Sequence, residues 1–200
     1  MGKNKKNLYE RYFKRSIGVV LSFCGLIILL VPMLIISFLI KIESKGPIIF
    51  KQKRLGKNQK YITVYKFRTM CNNAYQLGGI VKNEKDSRIT KVGAILRKTS
   101  LDELPQMINV IKGDMAIIGP RPILDWEFAN YANNKVYMRR YSVLPGMFCT
   151  VDVDYRAKAS RELQFTMDAE YVMNISLKND TKIFLKIIES VVKRKNVYKA

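Results

Sequence analysis

The chain contains no histidine, and that absence removes Ser-His and Cys-His nucleophilic pairs and every imidazole metal site. Its three cysteines, Cys24, Cys71 and Cys149, are far apart and form no C-x-x-C pair. The sequence therefore carries neither a disulfide framework nor a zinc pattern, which suits a reducing compartment. Acidic residues are scarce: 16 Asp and Glu stand against 36 Lys and Arg, a net charge of +20. Such a surface seeks a polyanion: nucleic acid, anionic lipid or a phosphorylated substrate. Any acid–base or covalent step is left to carboxylates, Lys, Tyr or Cys. Repeats and low-complexity tracts are missing too. With 200 residues, 48% of them hydrophobic, the chain reads as one folded domain with at most a small appendage.

Charge is missing altogether from residues 17–40. At about 1.5 Å per residue, a straight helix of that length crosses a hydrocarbon core of about 30 Å. The run exceeds the roughly 7–15 apolar residues of a signal peptide. It also passes directly into Lys41, Glu43, Ser44 and Lys45, which excludes that reading. Pro32 must break or kink a helix here. Two topologies follow: a single span with a tolerated proline, or a hairpin that dips in, bends at Pro32 and returns. Basic residues flank the run on both sides, Lys14 and Arg15 before it and Lys41 and Lys45 after it. The positive-inside rule then tilts the choice towards the hairpin.

Further on, residues 47–53 and 61–68 read as two strands joined by the turn signal at 55–59. Residues 71–90 read as a loop. From about residue 102 to 112, Leu104, Met107, Ile108 and Ile111 recur at helical spacing, and Gly113 closes the helix. A short apolar run, 115–118, meets the stiff turn Gly119-Pro120-Arg121-Pro122. Residues 126–141 are expected to be helical, and Pro145-Gly146 breaks the chain. The last segment sets Phe184, Ile187, Ile188 and Val191 on one helical face, with Lys182, Lys186, Lys193, Arg194 and Lys195 on or beyond the other. Such a helix either packs on its own domain or lies on an anionic membrane surface.

Asp102 and Glu103 fall at the expected start of the 102–112 helix, where free N–H groups favour negative charge. An ionised Asp beside a bound phosphoryl group can act as nucleophile and form an acyl phosphate, with Mg²⁺ screening the two negative partners. The plainer alternative is a capping box, Ser100-x-x-Glu103, although Pro105 fits that register poorly. Lys66, Arg97 and Arg121 are cations suited to phosphate, but pattern alone does not separate them from solvated surface charges.

Several long motifs in order change that balance: Tyr65-Lys66-Phe67-Arg68-Thr69-Met70, Arg88-Ile89-Thr90-Lys91-Val92-Gly93, Leu96-Arg97-Lys98-Thr99-Ser100-Leu101-Asp102-Glu103-Leu104-Pro105-Gln106, and Lys112-Gly113-Asp114-Met115 through Gly119-Pro120-Arg121-Pro122. Over about residues 11–195 they resemble the bacterial sugar transferase family, the small monotopic phosphoglycosyl transferases. The resemblance implies an α+β fold in two parts. Residues 1–41 would form a basic N-terminus and a re-entrant membrane helix-hairpin broken at Pro32. Residues 42–200 would form a mostly helical catalytic domain with a small β-hairpin and amphipathic interfacial helices, on the cytoplasmic side of the bacterial inner membrane. It implies that Asp102 attacks the β-phosphate of a UDP-sugar, releasing UMP, and that undecaprenyl phosphate then takes the phosphosugar. Asp102 would also be the Mg²⁺ ligand and Glu103 the proton acceptor. Lys66, Arg97 and Arg121 match positions that contact phosphate or shape the site. Arg156, near the nucleotide, and Asp168 match polar positions further on.

The implied partners are the UDP-sugar, undecaprenyl phosphate and the anionic inner leaflet, with no nucleic acid. Val31, Ser87 and the segment 144–150 depart from the family pattern, the last where the donor is expected. Two other readings remain: a membrane-anchored nucleic-acid-binding scaffold, although the basic residues are spread along the chain, and an inactive relative serving as a membrane-bound partner.

Overall fold

Leu29 is where the N-terminal apolar run breaks. In the computed structural model, which describes residues 8–72, 74, 86–155 and 159–192, a π-helical turn, Tyr9–Phe13, leads into α1, Lys14–Ile28, and then α2, Leu30–Glu43. The two limbs meet at 63°. Pro32 has no N–H to give the Ile28 carbonyl, and its ring crowds that carbonyl. The helix therefore opens one turn upstream, at Leu29 (φ −93°, ψ 7°), and the ladder resumes with the Met33 N–H to the Leu29 carbonyl at 2.9 Å. The proline ends up in the first turn of α2, where its missing donor does least harm. The bend expected at Pro32 is thus displaced to Leu29, and α2 runs past residue 41 to Glu43.

Among the described residues no single helix is long and apolar enough to cross a membrane, whereas this bent pair is, by length and composition. Val20, Phe23, Ile27, Val31, Leu34 and Phe38 are each more than half exposed, a contiguous apolar surface of the kind that marks an interaction site.

The opposite faces of the two limbs are packed, and they grip different helices. α1 presents Gly18, Ser22 and Gly25 to α4, Gln106–Lys112. A Cβ on Gly25 would lie 2.9 Å from Met107 Sδ, and one on Gly18 3.6 Å from Val110, so small residues permit the close approach. α2 packs Met33, Ile36 and Ile40 against Phe67, Leu104 and the Val92 and Leu96 of α3, Lys91–Thr99. Helix α3, capped by the Thr90 hydroxyl on the Gly93 N–H, is an element the sequence reading lacked. Most of the expected 71–90 loop lies outside the described residues.

The expected hairpin is present: β1, Ile49–Leu55, and β2, Tyr61–Phe67, pair antiparallel from Ile49↔Phe67 to Leu55↔Tyr61. Its turn uses Asn58 and Gln59 at positive φ. A second, parallel pair joins β3, Ala116–Ile118, to β4, Gly146–Phe148. The helix expected over 126–141 is instead α5, Asp125–Phe128, followed by 3₁₀ turns at Ala129–Tyr131 and Tyr137–Ser142. Asn134 interrupts it by accepting the N–H groups of Val136 and Tyr137 on its own side chain, in competition with the backbone.

The chain closes with α6, Thr150–Asp154, α7, Arg161–Met173, and α8, Leu177–Val192. Phe184 and Ile187 of α8 pack with Ile118, Tyr171 and Ile175, while Leu185 and Ile188 stay exposed. The α+β class is therefore as expected. The basic tail beyond α8, Lys193 to Lys195, lies outside the described residues.

Candidate active site

The acidic pair sits in the corner between the two gripped helices. Asp102 and Glu103 belong to a single 3₁₀ turn, Leu101–Glu103, and α4 begins only at Gln106 with Pro105 as its N-cap. The helix start expected at residue 102 is therefore corrected by four residues. Proline cannot donate within a helix but fits at its entrance. No capping box forms either: Ser100 ends α3 in the left-handed region (φ 59°) and its side chain makes no cap bond. With α4 starting only at Gln106, the acidic pair lies ahead of its first turn, and the cations beside the pair are side chains.

Those side chains converge from three elements. Lys66, on β2, places Nζ 2.6 Å from Glu103 Oε1. Arg121, on the turn after β3, has Nη2 3.9 Å from the same oxygen. Its Nη1 lies 3.1 and 3.3 Å from the two Asp152 oxygens, and that carboxylate holds the guanidinium charged and raises its pKa. Arg97, on α3, donates Nε–H to Thr69 Oγ1 at 2.9 Å and acts electrostatically on Asp102.

Asp102 is itself half-buried. Burial pushes its carboxyl up to about 6, Lys66 and Arg97 pull it down, and Glu103 pushes it further up. The two carboxylates differ accordingly. Glu103 is tied to a lysine, whereas Asp102 is a desolvated carboxylate ionised at neutral pH and held among cations, a description that fits a nucleophile.

Lys66 and Arg121 thus lie beside the pair, and Arg97 reaches Asp102 through its charge. Asp168 does neither: it is fully buried beneath Arg121 and lies 3.1 Å from Arg140. Arg156 lies outside the described residues. Among those residues, no group of three or more His, Cys, Asp or Glu is arranged to hold a metal ion. One available carboxylate, Asp102, is nevertheless the donor set with which Mg²⁺ commonly works, since the ion takes one or two carboxylates and completes its shell with substrate phosphates and water.

The sequence reading missed Asp152 and Arg140. Neither is marked by a motif; each reaches Arg121 because β4 runs parallel to β3 and returns the chain beneath the Pro120–Pro122 turn. A Cβ on Gly146 would lie 2.1 Å from the Gly119 nitrogen, so glycine is required for that approach. The divergent 144–150 segment contains this strand, and Met147 and Cys149 within the segment are buried.

Residues 9–194 match the profile of the bacterial sugar transferase family. The chain is 37% identical over 186 residues to UDP-N-acetylgalactosamine-undecaprenyl-phosphate N-acetylgalactosaminephosphotransferase of Aeromonas hydrophila, covering 90% of this chain and 44% of that protein. It is 36% identical over 193 residues to the exopolysaccharide production protein PSS of Rhizobium leguminosarum bv. phaseoli, covering 90% and 96%. It is also 36% identical over 194 residues to UDP-glucose:undecaprenyl-phosphate glucose-1-phosphate transferase of Escherichia coli K12, covering 92% and 41%. The chain thus spans less than half of two of these relatives and nearly all of the third. It belongs to the bacterial sugar transferase family.

Proposed function

We propose that this chain is a phosphoglycosyl transferase that moves a sugar-1-phosphate from a UDP-sugar to undecaprenyl phosphate, the first membrane step of glycan assembly. The observation that carries the reading is the Asp102–Glu103 turn, surrounded by Lys66, Arg97 and Arg121 and held between two helices that rest on the bent apolar pair. Relatives named for undecaprenyl-phosphate sugar-phosphate transfer support the same chemistry.

In the first step an Asp102 carboxylate oxygen attacks the β-phosphorus of the donor. The bond to the bridging oxygen breaks, its electron pair leaves with UMP, and the phosphosugar is joined to Asp102. In the second step a phosphate oxygen of the acceptor attacks the same phosphorus and the Asp102–phosphorus bond breaks, restoring the carboxylate. Glu103 takes the proton when the acceptor arrives protonated. One phosphoanhydride is broken and one is made, so the exchange is near thermoneutral and is drawn forward by later steps. Lys66 and Arg97 keep Asp102 ionised, and Arg121 offers a fixed guanidinium to the phosphates. Mg²⁺, held by Asp102 and the donor phosphates, would neutralise charge between nucleophile and electrophile.

The acceptor phosphate lies at the headgroup plane. We place α1 and α2 as a re-entrant pair in the bacterial cytoplasmic membrane, with both basic flanks and the catalytic domain on the cytoplasmic side. The test is UMP release from a panel of UDP-sugars with Mg²⁺ and undecaprenyl phosphate. Wild type should release UMP with one donor class and Asp102→Asn should not. Release that persists in Asp102→Asn removes the proposed nucleophile; none with any donor favours an inactive relative serving as a partner.

A further inference from the structure

The turn that carries Arg121 cannot hold itself in place. Pro120 and Pro122 lack N–H groups, so its carbonyls must be satisfied from outside. The Pro120 carbonyl accepts from the Gly146 N–H and that of Ile123 from the Leu55 N–H, both at 2.8 Å. The Pro122 carbonyl accepts from Arg54 Nη1 at 3.3 Å. The Arg121 carbonyl accepts from Arg140 Nη2, which is also 3.1 Å from Asp168. One buried ion pair therefore reaches the Arg121 peptide, with Arg140 on its carbonyl and Asp168 holding Arg140.

That pair is unusual for its burial: the two side chains are only 2% and 0% exposed. Phe165 and Tyr141 flank the Arg140 guanidinium, with ring centroids 4.7 and 5.5 Å away, and fix its plane. As a source of stability the pair is poor. Removing two charges from water costs about as much as their attraction returns, and among the described residues neither Arg140 Nη1 nor the Asp168 oxygens make a well-aligned hydrogen bond. Its geometry has another use.

We propose that Arg140 and Asp168 are positioning residues for Arg121, Arg140 holding its carbonyl and Asp168 holding Arg140, so that the guanidinium meets the acidic turn in one orientation. Asp168, expected from the family resemblance among the substrate-binding groups, then acts through Arg121 without touching substrate. The inference rests on the reading of Arg121 as a phosphate contact. Arg140 is supplied by the Tyr137–Ser142 turn and Asp168 by α7, so two elements remote from the acidic pair converge on a single backbone unit. Reacting atoms displaced by about 1 Å can cost on the order of 100-fold in rate, which sets the scale of the effect.

Removing one partner alone leaves a buried unpaired charge and can unfold the chain. The informative variant is therefore the apolar double replacement Arg140→Met with Asp168→Leu, with the uncharged double replacement Arg140→Gln with Asp168→Asn as a second variant. Each is made alone and in an Arg121→Ala background, and UMP release, calorimetric UDP affinity and Tm are measured. The expected result is a Tm near that of wild type and a loss of about 100-fold in kcat/KM, mostly in kcat. With Arg121 already removed, the further loss should stay below about 3-fold, because the residues act through it. Losses that multiply in the Arg121→Ala background, or no loss at all, overturn the inference and leave the proposed activity standing. If wild type releases no UMP from any donor, the proposed activity falls and UDP affinity decides: weakening only when Arg121 is present supports the positioning role, and equal affinity overturns it.

Discussion

At Asp102 the desolvation that makes a carboxylate nucleophilic also makes it unstable. Its folded value near 6 stands above the ordinary 3.8, so the stabilising contribution of the protonated form is fully present below pH 4 and is lost as pH rises through 6. The loss amounts to at most about 3 kcal/mol. Asp102→Asn removes that charge without changing size. Its melting temperature should equal that of wild type near pH 4 and exceed it at pH 7.5, measured by differential scanning fluorimetry in detergent; an equal difference at both pH values would remove the burial argument. The same value predicts kinetics. Since the proposed nucleophile must be ionised, kcat/KM for UMP release should rise with pH and level off above about 6. Lys66→Met takes away a charge that lowers the Asp102 value, which pushes the acidic limb to higher pH. A limb that stays in place would mean that another group controls it.

Elements act here by how closely their backbones approach. β3 and β4 pair over only a few residues, yet they bring Arg121 and Asp152 together, and Gly146 makes the pairing possible. A methyl group at Gly146 would meet the Gly119 nitrogen at 2.1 Å, and that neighbour is backbone. Gly146→Ala should therefore cost about 1–3 kcal/mol of stability by overpacking and lower UMP release well beyond what lost stability explains. Comparing the specific activity of the folded fraction with its Tm separates the two effects. At the same scale, α1 grips α4 and α2 grips α3, with Leu104 packed in both contacts, so the angle between the limbs and the corner that holds Asp102 are mechanically linked.

For the whole molecule, the net charge of +20 and the exposed apolar surface of the bent pair call for two different kinds of membrane attraction. Each basic residue near an anionic surface contributes about 1 kcal/mol at moderate salt, and the contribution falls within a Debye length. Flotation with vesicles should show binding that rises with phosphatidylglycerol content. About 0.5 M NaCl should remove that dependence and leave a salt-resistant fraction held by the apolar pair. Complete release by salt would argue that α1 and α2 do not insert.

What the sequence determined by itself is local or carried by motif. The absence of histidine left the chemistry to carboxylates, Lys, Tyr or Cys, Pro32 required a break in the apolar run, the strand-like runs 47–53 and 61–68 forecast the hairpin, and the family motifs singled out Asp102, Glu103, Lys66, Arg97 and Arg121. Details that depend on contact were not legible. The break moved to Leu29 because proline disturbs the turn before it. The acidic pair left the helix because Pro105 could only stand at its entrance. Helix α3 was hidden by Gly93, whose missing side chain lets Thr69 approach. Asp152, Arg140 and the buried position of Asp168 were decided only by tertiary structure, because a parallel pairing between strands almost thirty residues apart sets which side chains surround Arg121, and sequence spacing carries no record of such a contact.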